Sequence, residues 1–181
     1  MKQPFLTGKT IYLRTIEEGD LSERYRDWFN DVEVCRFNSH HRFPNYGEDM
    51  RSYYETAIKT HENLILAICD KATDIHIGNV SLQNINLLDQ SAEFAIVIGD
   101  RSYWGKGVGK EALSLIVQHG FSQLNLHRIY CGTAEDNMGM QKLAMTLGFK
   151  QEGVSREALY KDGKFKDTIH YGLLRSEFKT E

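Results

Sequence analysis

Residues 103–113, with the sequence YWGKGVGKEAL, place three glycines within five positions, immediately before a run of helical periodicity. Glycine near the start of a helix costs about 1 kcal/mol relative to alanine, because it loses more conformational freedom on folding. Gly105, Gly107 and Gly109 therefore indicate either a sharp backbone turn or a ligand that comes closer than a Cβ atom would allow.

The hydrophobic pattern before the glycines is mainly that of strands. Alternation of apolar and polar residues predicts strands at residues 10–16, 63–69, 75–82 and 92–98. Short turns between the last three indicate an antiparallel meander. Two helices are predicted between the first and second strands. The first is capped by Asp20 and carries the aromatic stripe Tyr25, Trp28 and Phe29, which we interpret as core, and the second starts near Met50.

After the glycines the period changes from two to 3.6 residues. One buried helical face is formed by Leu113, Ile116, Val117, Gly120, Phe121 and Leu124. A strand at 128–133, a helix at 137–147 and strands at 150–159 and 165–174 are predicted to follow. The sum is an α/β (α+β) fold, with one mixed sheet of about seven strands and about four helices.

Composition is that of an ordinary globular domain. The 181 residues are 41% hydrophobic, which is enough for one core, so residues 1–181 are predicted to form a single domain. The net charge of −3 argues against the overall basic surface that nucleic-acid binding requires. We therefore expect no nucleic-acid partner.

Cysteine usage and the amino terminus bear on the compartment. Cys35, Cys69 and Cys131 form no CxxC pair, so we expect free thiols and no metal site. The segment MKQPFLTGKT lacks the apolar region of a signal peptide, and no stretch is apolar enough to cross a membrane. We expect a cytoplasmic protein with no membrane partner.

The glycine segment is compatible with several kinds of loop. A P-loop is excluded because Glu111 follows Gly109-Lys110 and Trp104 stands where the first glycine should be. The dinucleotide pattern GxGxxG/A matches at Gly107, Gly109 and Ala112, but it should directly follow the first strand of a repeated βαβ fold. Here it comes late, after an antiparallel meander. That context disfavours a dinucleotide site.

Two further interpretations of this segment stay open. One is a flexible loop before a surface helix. The other is a pyrophosphate cradle at a helix N-terminus, where exposed N–H groups and the helix dipole attract an anion and where Lys106 and Lys110 add positive charge. We favour the cradle.

The sequence resembles a known family in this segment and around it. The segment WGKGVG occupies the place of the acyl-CoA loop of the GCN5-related N-acetyltransferases (GNAT), and the surrounding pattern is similar to their RimJ/RimL branch. The matching pieces are LRTIEEGDL, HIGNVSL, SAEFAIVIGDRSYWGKGVGKEAL, FSQLNLHRIYCGTAEDNMGMQKLAMTLGFKQEGVSRE and DGKFKDTIHYGLL, in order over nearly the whole chain. The resemblance implies a single-domain GNAT fold in which two neighbouring strands splay apart and acyl-CoA lies between them.

The resemblance also implies a set of residues that bind acetyl-CoA as co-substrate, without a metal. The backbone of Phe94, Ala95, Ile96, Val97 and Ile98 would pair with the pantetheine arm like an added strand. Backbone N–H groups of Lys106, Gly107, Val108, Gly109 and Lys110 would hold the pyrophosphate. Trp104 replaces a polar residue that is usual in the family, and Asn137 matches the asparagine that contacts the pantetheine.

The implied reaction is attack of a neutral amine on the thioester. An alkyl amine has a pKa near that of lysine, so about one molecule in a thousand is neutral at pH 7, and a group must take its proton. Glu93 is our predicted base. The family's usual acids for the leaving thiolate are missing, since Ala144 and Met140 stand at their positions. Water or Tyr103 would then supply that proton.

The acceptor is predicted from the loop FNSHHRFPNY. In the implied fold this loop lies at the acceptor entrance, and its substrate-binding candidates are Phe37, His40, His41, Arg42 and Phe43. Aromatic rings with hydrogen-bond donors and a positive charge suit a sugar nucleotide, whereas a polyamine would call for an acidic cluster that the loop lacks. The alternative for the two histidines is a solvated surface position. His76 and His170 receive no role.

The predicted function is therefore acetyl-CoA-dependent N-acetyl transfer to a primary amine, with an amino-sugar nucleotide favoured as acceptor. Alternatives within this class are the amino terminus of a protein, of the ribosomal type, or a polyamine. A non-catalytic acyl-CoA-binding module is the alternative of another class, suggested by the missing acids. Expected partners are a small-molecule amine or sugar nucleotide, and a homodimer is compatible with the sequence.

Overall fold

The computed structural model describes residues 3–59 and 61–179, with the backbone alone at 56–59. The strands are β1 (Leu6–Thr7), β2 (Ile11–Thr15), β3 (Leu64–Asp70), β4 (His76–Asn86), β5 (Ser91–Ile98), β6 (Arg128–Ala134), β7 (Lys150–Lys161) and β8 (Lys164–Leu174). The α-helices are α1 (Glu23–Asn30), α2 (Gly47–Lys59), α3 (Val108–Ser122) and α4 (Met138–Thr146).

The strands form a single mixed sheet in the order β1-β2-β3-β4-β5-β6-β8-β7. All neighbours pair antiparallel except β5 and β6, which are parallel because α3 carries the chain across the sheet between them. The predicted mixed sheet with four α-helices is confirmed. The sheet of the described residues has eight strands rather than seven, because β1 is too short to give a period-two signal.

Helices cover both faces of the sheet around β5. Ala92 and Phe94 belong to the main core, which also contains the buried face of α3. Val97 packs instead against a cluster of Tyr25, Trp28, Phe29 and Met50 from α1 and α2. Side chains alternate between the faces of a strand, so α3 and the α1–α2 pair lie on opposite sides. The aromatic stripe is confirmed as core.

The start of α1 differs from its prediction. The N-cap is Ser22, whose hydroxyl accepts a hydrogen bond from the Tyr25 amide at 3.4 Å. The prediction that Asp20 caps this helix is wrong, because its carboxylate forms a buried two-bond ion pair with Arg14. The pair ties the end of β2 to the segment that leads into α1.

Candidate active site

Strands β5 and β6 separate partway along their length. They pair at Ser91, Ala92 and Glu93 and not beyond, while β6 continues to Ala134 beside β8 and β5 continues to Ile98 beside β4. A cleft of about 380 Å³ opens between them, lined by β5, by Gly132 and Thr133 of β6, and by the loop before α2. This is the splayed strand pair that the family resemblance implies.

The cleft-facing edge of β5 is a run of backbone without a strand partner. From Phe94 to Ile98, β5 is paired with β4 on one side and borders the cleft on the other. Alternate residues of a strand direct their N–H and C=O groups to each edge, so this edge can pair with an extended ligand. Trp104 bounds the run, because its indole Nε1 donates a 2.8 Å hydrogen bond to the Ile98 carbonyl.

The amino end of α3 forms a glycine-lined groove next to the cleft. Gly107 is the N-cap residue with φ of +82°, and no side chain caps the helix. A Cβ atom built on Gly105 or Gly107 would meet no protein atom within 4 Å. The groove measures about 580 Å³ and runs between the start of α3 and α4. It can therefore accept an anion at the helix dipole without moving any side chain.

Most of the residues predicted to bind acetyl-CoA line this groove or the cleft. The groove is lined by Trp104, Gly107, Val108, Gly109, Lys110 and Asn137, with Lys142 of α4 on the opposite wall. Ile96, Ile98, Trp104, Asn137 and Met140 border both spaces, so the two are continuous. Lys142 was not predicted, since nothing local in the sequence brings α4 opposite α3.

Two of the residues predicted to bind the co-substrate make hydrogen bonds within the protein. The Lys106 amide donates to the Tyr103 carbonyl at 3.4 Å, so it points into its own turn rather than toward the groove. Asn137 caps α4 through Oδ1 at 3.2 Å from the Met140 amide, and its Nδ2 donates to the Thr133 hydroxyl at 2.9 Å. Its side chain is therefore fixed beside the cleft by the fold itself.

A second cavity, of about 180 Å³, lies on the α1–α2 side of the sheet and borders β5. We call it the acceptor cavity, for the role that we propose for it. Its polar lining comes from Asn79, Ser81 and Gln83 of β4, Tyr25 of α1, Asp49 and Tyr53 of α2, and His40 and Asn45 of the intervening loop. Burial raises the pKa of Tyr25 and of Tyr53, so both phenols stay protonated.

The structure separates the five residues predicted to bind the acceptor. Phe37 lines the cleft, and His40 lines both the cleft and the acceptor cavity. His41 and Arg42 instead line an outer groove beside Tyr160 of the β7–β8 hairpin, where the Arg42 guanidinium donates to the Tyr160 carbonyl at 3.1 Å. Phe43 is 81% exposed. The predicted wall is thus not one surface.

The two predicted catalytic residues occupy different spaces. Glu93 is half-buried in the cleft, and its Oε2 accepts a 3.1 Å hydrogen bond from the Asn84 side chain. Tyr103 lines the groove next to the glycines, with its ring 5.4 Å from the Lys106 ammonium, and does not line the cleft. Both roles stay predictions. Ala144 is fully buried, and Met140 borders the cleft, so neither position supplies an acid there.

Comparison with known proteins identifies the family. Residues 10–150 match a family model described as an acetyltransferase (GNAT) domain. The chain belongs to this family. GNAT membership agrees with the cleft between β5 and β6 and with the glycine-lined start of α3.

Individual relatives agree with this assignment over nearly the full length. The chain is 30% identical to the probable N-acetyltransferase YjcK of Bacillus subtilis, covering 90% of this chain and 92% of YjcK. It is 27% identical to a spermidine N(1)-acetyltransferase of Vibrio cholerae, covering 93% and 95%. The crystal structure of Vibrio cholerae spermidine N-acetyltransferase in complex with CoA and spermine superposes with a TM-score of 0.84 at 26% identity, over 93% of this chain and 97% of that one.

These relatives establish the class of reaction. The GNAT protein described here is an N-acetyltransferase that uses acetyl-CoA as co-substrate. The RimJ/RimL resemblance stays a prediction, because the putative ribosomal N-acetyltransferase YdaF of Bacillus subtilis matches 58% of the chain. The described residues contain no cluster of metal-ligating side chains, and none of the described helices is both long and apolar enough to cross a membrane.

Most residues of the acceptor cavity were not predicted from the sequence. Asn79, Ser81 and Gln83 alternate with Val80 and Leu82 on β4, a pattern that is typical of a strand with one solvent-facing side. In the structure that side faces α1 and α2, and Ser81 is 4% exposed. Polar residues at alternate positions of a central strand, in a sheet with helices before and after it, are the signal that could have located this cavity.

Proposed function

We propose that the acceptor is a small alkyl polyamine, and that one of its primary amines is acetylated by direct attack on the acetyl-CoA thioester. The observation that carries this proposal is the charge of the acceptor cavity. Among the described residues that line it there is no lysine or arginine, whereas Asp49 contributes a carboxylate. Glu93 lies on the same face of β5 as Ala95 and Val97 of the cavity wall.

A sugar nucleotide fits this cavity less well. Its diphosphate would need cationic partners, and the arginine and the second histidine of the predicted loop line the outer groove instead. Desolvation lowers the pKa of His40, the histidine that does line the cavity, so it is neutral at pH 7. The relatives named as spermidine N(1)-acetyltransferases favour the polyamine as well.

Different residues around the cleft would bind different parts of the co-substrate. The amides of Val108 and Gly109, together with Lys142, would hold the diphosphate at the start of α3. The edge of β5 would pair with the pantetheine arm and bring the thioester to the point where the cleft meets the acceptor cavity. Acetyl-CoA supplies the activated acetyl group. Holding both reactants in line is worth several kcal/mol of the barrier.

The test is CoA release from acetyl-CoA with a panel of acceptors: spermidine, spermine, n-propylamine, a UDP-linked amino sugar and a peptide with a free amino terminus. We expect spermidine to have a kcat/KM at least about tenfold above that of n-propylamine, since a second ammonium gains from nearby carboxylates. Asp49→Asn should reduce this preference and leave n-propylamine unchanged. Preference for the amino sugar or the peptide would overturn the proposed acceptor.

A further inference from the structure

His40 occupies a position shared by the two spaces in which the reactants would lie. It lines both the cleft between β5 and β6 and the acceptor cavity. The other described residues that border both are Ala95, Ile96 and Val97 of β5, which have no titratable side chain. Among the described residues, His40 is therefore the one with an ionisable side chain that lines both spaces.

The loop holds His40 in place through its backbone and its ring. The His40 backbone is held by two hydrogen bonds. Its amide donates to Asn38 Oδ1 at 3.0 Å, and its carbonyl accepts from Asn45 Nδ2 at 3.2 Å. The same Asn45 nitrogen donates to the Phe29 carbonyl at 2.9 Å, which ties the loop to α1. The imidazole packs edge-on against the Phe29 ring, with centroids 4.8 Å apart. Its nitrogens make no hydrogen bond to a described residue.

His40 is exposed to solvent on one side, and its imidazole is mostly neutral at pH 7. Desolvation lowers the pKa of His40 below the usual value of a histidine. The ionisable groups that line the same two spaces are Asp49 of α2, Tyr25 of α1, Tyr53 of α2, Glu93 of β5, and Glu33 and Arg36 of the loop. A neutral imidazole with unengaged nitrogens can accept a proton at pH 7.

We propose that His40 is the proton carrier of the acetyl transfer. The neutral amine attacks the thioester carbonyl carbon, and His40 takes a proton from the amine nitrogen as the C–N bond forms. The tetrahedral intermediate collapses, the C–S bond breaks and its electron pair stays on sulfur. The imidazolium then gives the same proton to the thiolate, so that amine and acetyl-CoA become amide and CoASH with no net gain or loss of protons.

This assignment accounts for the two missing acids. The imidazolium is a stronger acid than a thiol, whose ordinary pKa is about 8.5, so the second transfer is downhill. A single group that takes the proton from nitrogen and returns it to sulfur needs no acid at Met140 or Ala144. Glu93 is less suited to this double role, because it lines the cleft but not the acceptor cavity and because its carboxylate accepts a hydrogen bond from Asn84.

The test compares His40→Gln with His41→Gln as its matched control, since His41 is the next residue and lines the outer groove. Each variant is assayed with the amine of the panel that the natural enzyme acetylates fastest. The proposal rests on acetyl transfer itself and not on the polyamine, so rejection of the polyamine leaves it testable. We expect His40→Gln to lower kcat by about 10²–10⁴ with the Kd of CoA unchanged, and His41→Gln to stay within about twofold.

A rescue experiment separates proton transfer from a structural role. In His40→Ala, added imidazole should restore kcat, and more basic substituted imidazoles should restore it more, because efficiency follows the basicity of the proton acceptor. Thermal melts and CoA binding establish that each variant is folded. A folded His40→Gln with kcat within about threefold of the natural enzyme, or a folded His40→Ala that imidazole does not rescue, would overturn the proposal. A larger loss of kcat in Glu93→Gln would assign the proton to Glu93 instead.

Discussion

The indole Nε1 of Trp104 donates a 2.8 Å hydrogen bond to the carbonyl oxygen of Ile98, the last residue of β5. This bond joins the glycine segment to the strand that forms one wall of the cleft. Trp104 is 43% exposed and borders both the cleft and the groove. Its ring therefore stands where the two spaces meet.

Trp104 should report on co-substrate binding. We expect CoA to change its fluorescence, because a ligand that runs from groove to cleft covers the indole. Trp28, the chain's other tryptophan, is 6% exposed and should contribute a constant signal. In Trp104→Phe the response should disappear while calorimetry still detects binding, weakened by less than about tenfold through loss of one hydrogen bond. A full fluorescence response in that variant would contradict this placement.

Gly107→Ala tests the groove at the start of α3. Gly107 has φ of +82°, a conformation that costs a non-glycine residue about 1 kcal/mol or more. Gly163, in the β7–β8 turn, has φ of +77° and equally open surroundings, so Gly163→Ala carries the same kind of strain away from the groove. Both variants should lose similar stability in thermal melts. Only Gly107→Ala should also weaken CoA binding, by more than about tenfold, since its Cβ enters the ligand's space; equal affinities would show that the loop is not the cradle.

Lys161, at the end of β7, should influence the kcat/KM for the acceptor amine. Its ammonium donates to the carbonyls of Cys35 and Asn38 at 3.1 and 3.2 Å, and these residues precede His40 in the loop. Lys161→Met removes both bonds, each worth about 1.5–3 kcal/mol when one partner is charged. We expect kcat/KM for the amine to fall by tenfold or more with the Kd of CoA unchanged.

Lys164→Met is the matched control for that variant. Lys164 is the cross-strand neighbour of Lys161, so its substitution removes the same charge from the same hairpin. It should leave kcat/KM unaltered, and Lys161→Arg should retain most of the activity. Equal losses in Lys161→Met and Lys164→Met would mean that overall charge, and not the position of the loop, sets the rate.

The proposed co-substrate half of the site was predictable because its signals are local. The glycine spacing, the change of period and the helix after it lie within one stretch of sequence, and in the structure Gly107 caps α3 next to the end of β5. The acceptor half was not. Consecutive residues of a turn point in different directions, so His40 and His41 face different spaces. The groove at His41 is completed by Tyr160, a neighbour that spacing along the chain cannot reveal.

Secondary structure was predictable where a hydrophobic period extends over many residues. The prediction was wrong where a contact between side chains determines the local structure. The bounds of β5 follow from alternation and the start of α3 from a helical stripe, whereas Leu124, predicted on that stripe, lies beyond the end of α3 at Ser122. Asp20 precedes a helix and so has the sequence signature of an N-cap, yet its carboxylate forms an ion pair with the nearby Arg14. A buried charge needs a partner more than a helix end needs a cap, because leaving it unpaired costs several kcal/mol.

The Arg14–Asp20 ion pair predicts how stability depends on pH. Burial alone would raise the pKa of Asp20, but hydrogen bonds from Arg14 and from the Glu17 amide outweigh it, so this pKa lies below its usual value. A lowered folded-state pKa means that the contribution is complete above the unfolded value of about 3.9 and is lost as the pH falls through the folded value. His76 Nδ1 lies 3.6 Å from the carboxylate, but burial lowers the pKa of His76, so Arg14 supplies the counter-charge at neutral pH.

Asp20→Asn should therefore destabilise the protein by about 3–5 kcal/mol at pH 7, because it leaves a buried guanidinium without its counter-charge. Denaturant melts of both proteins between pH 7 and pH 2 should show the difference in unfolding free energy constant above about pH 4 and shrinking below it. Asp27→Asn is the control, since Asp27 is 66% exposed and pairs with Arg26 at 3.3 Å. Such a surface pair is worth less than about 1 kcal/mol. A pH-independent difference for Asp20→Asn would mean that packing of the side chain, and not its charge, holds the segment before α1.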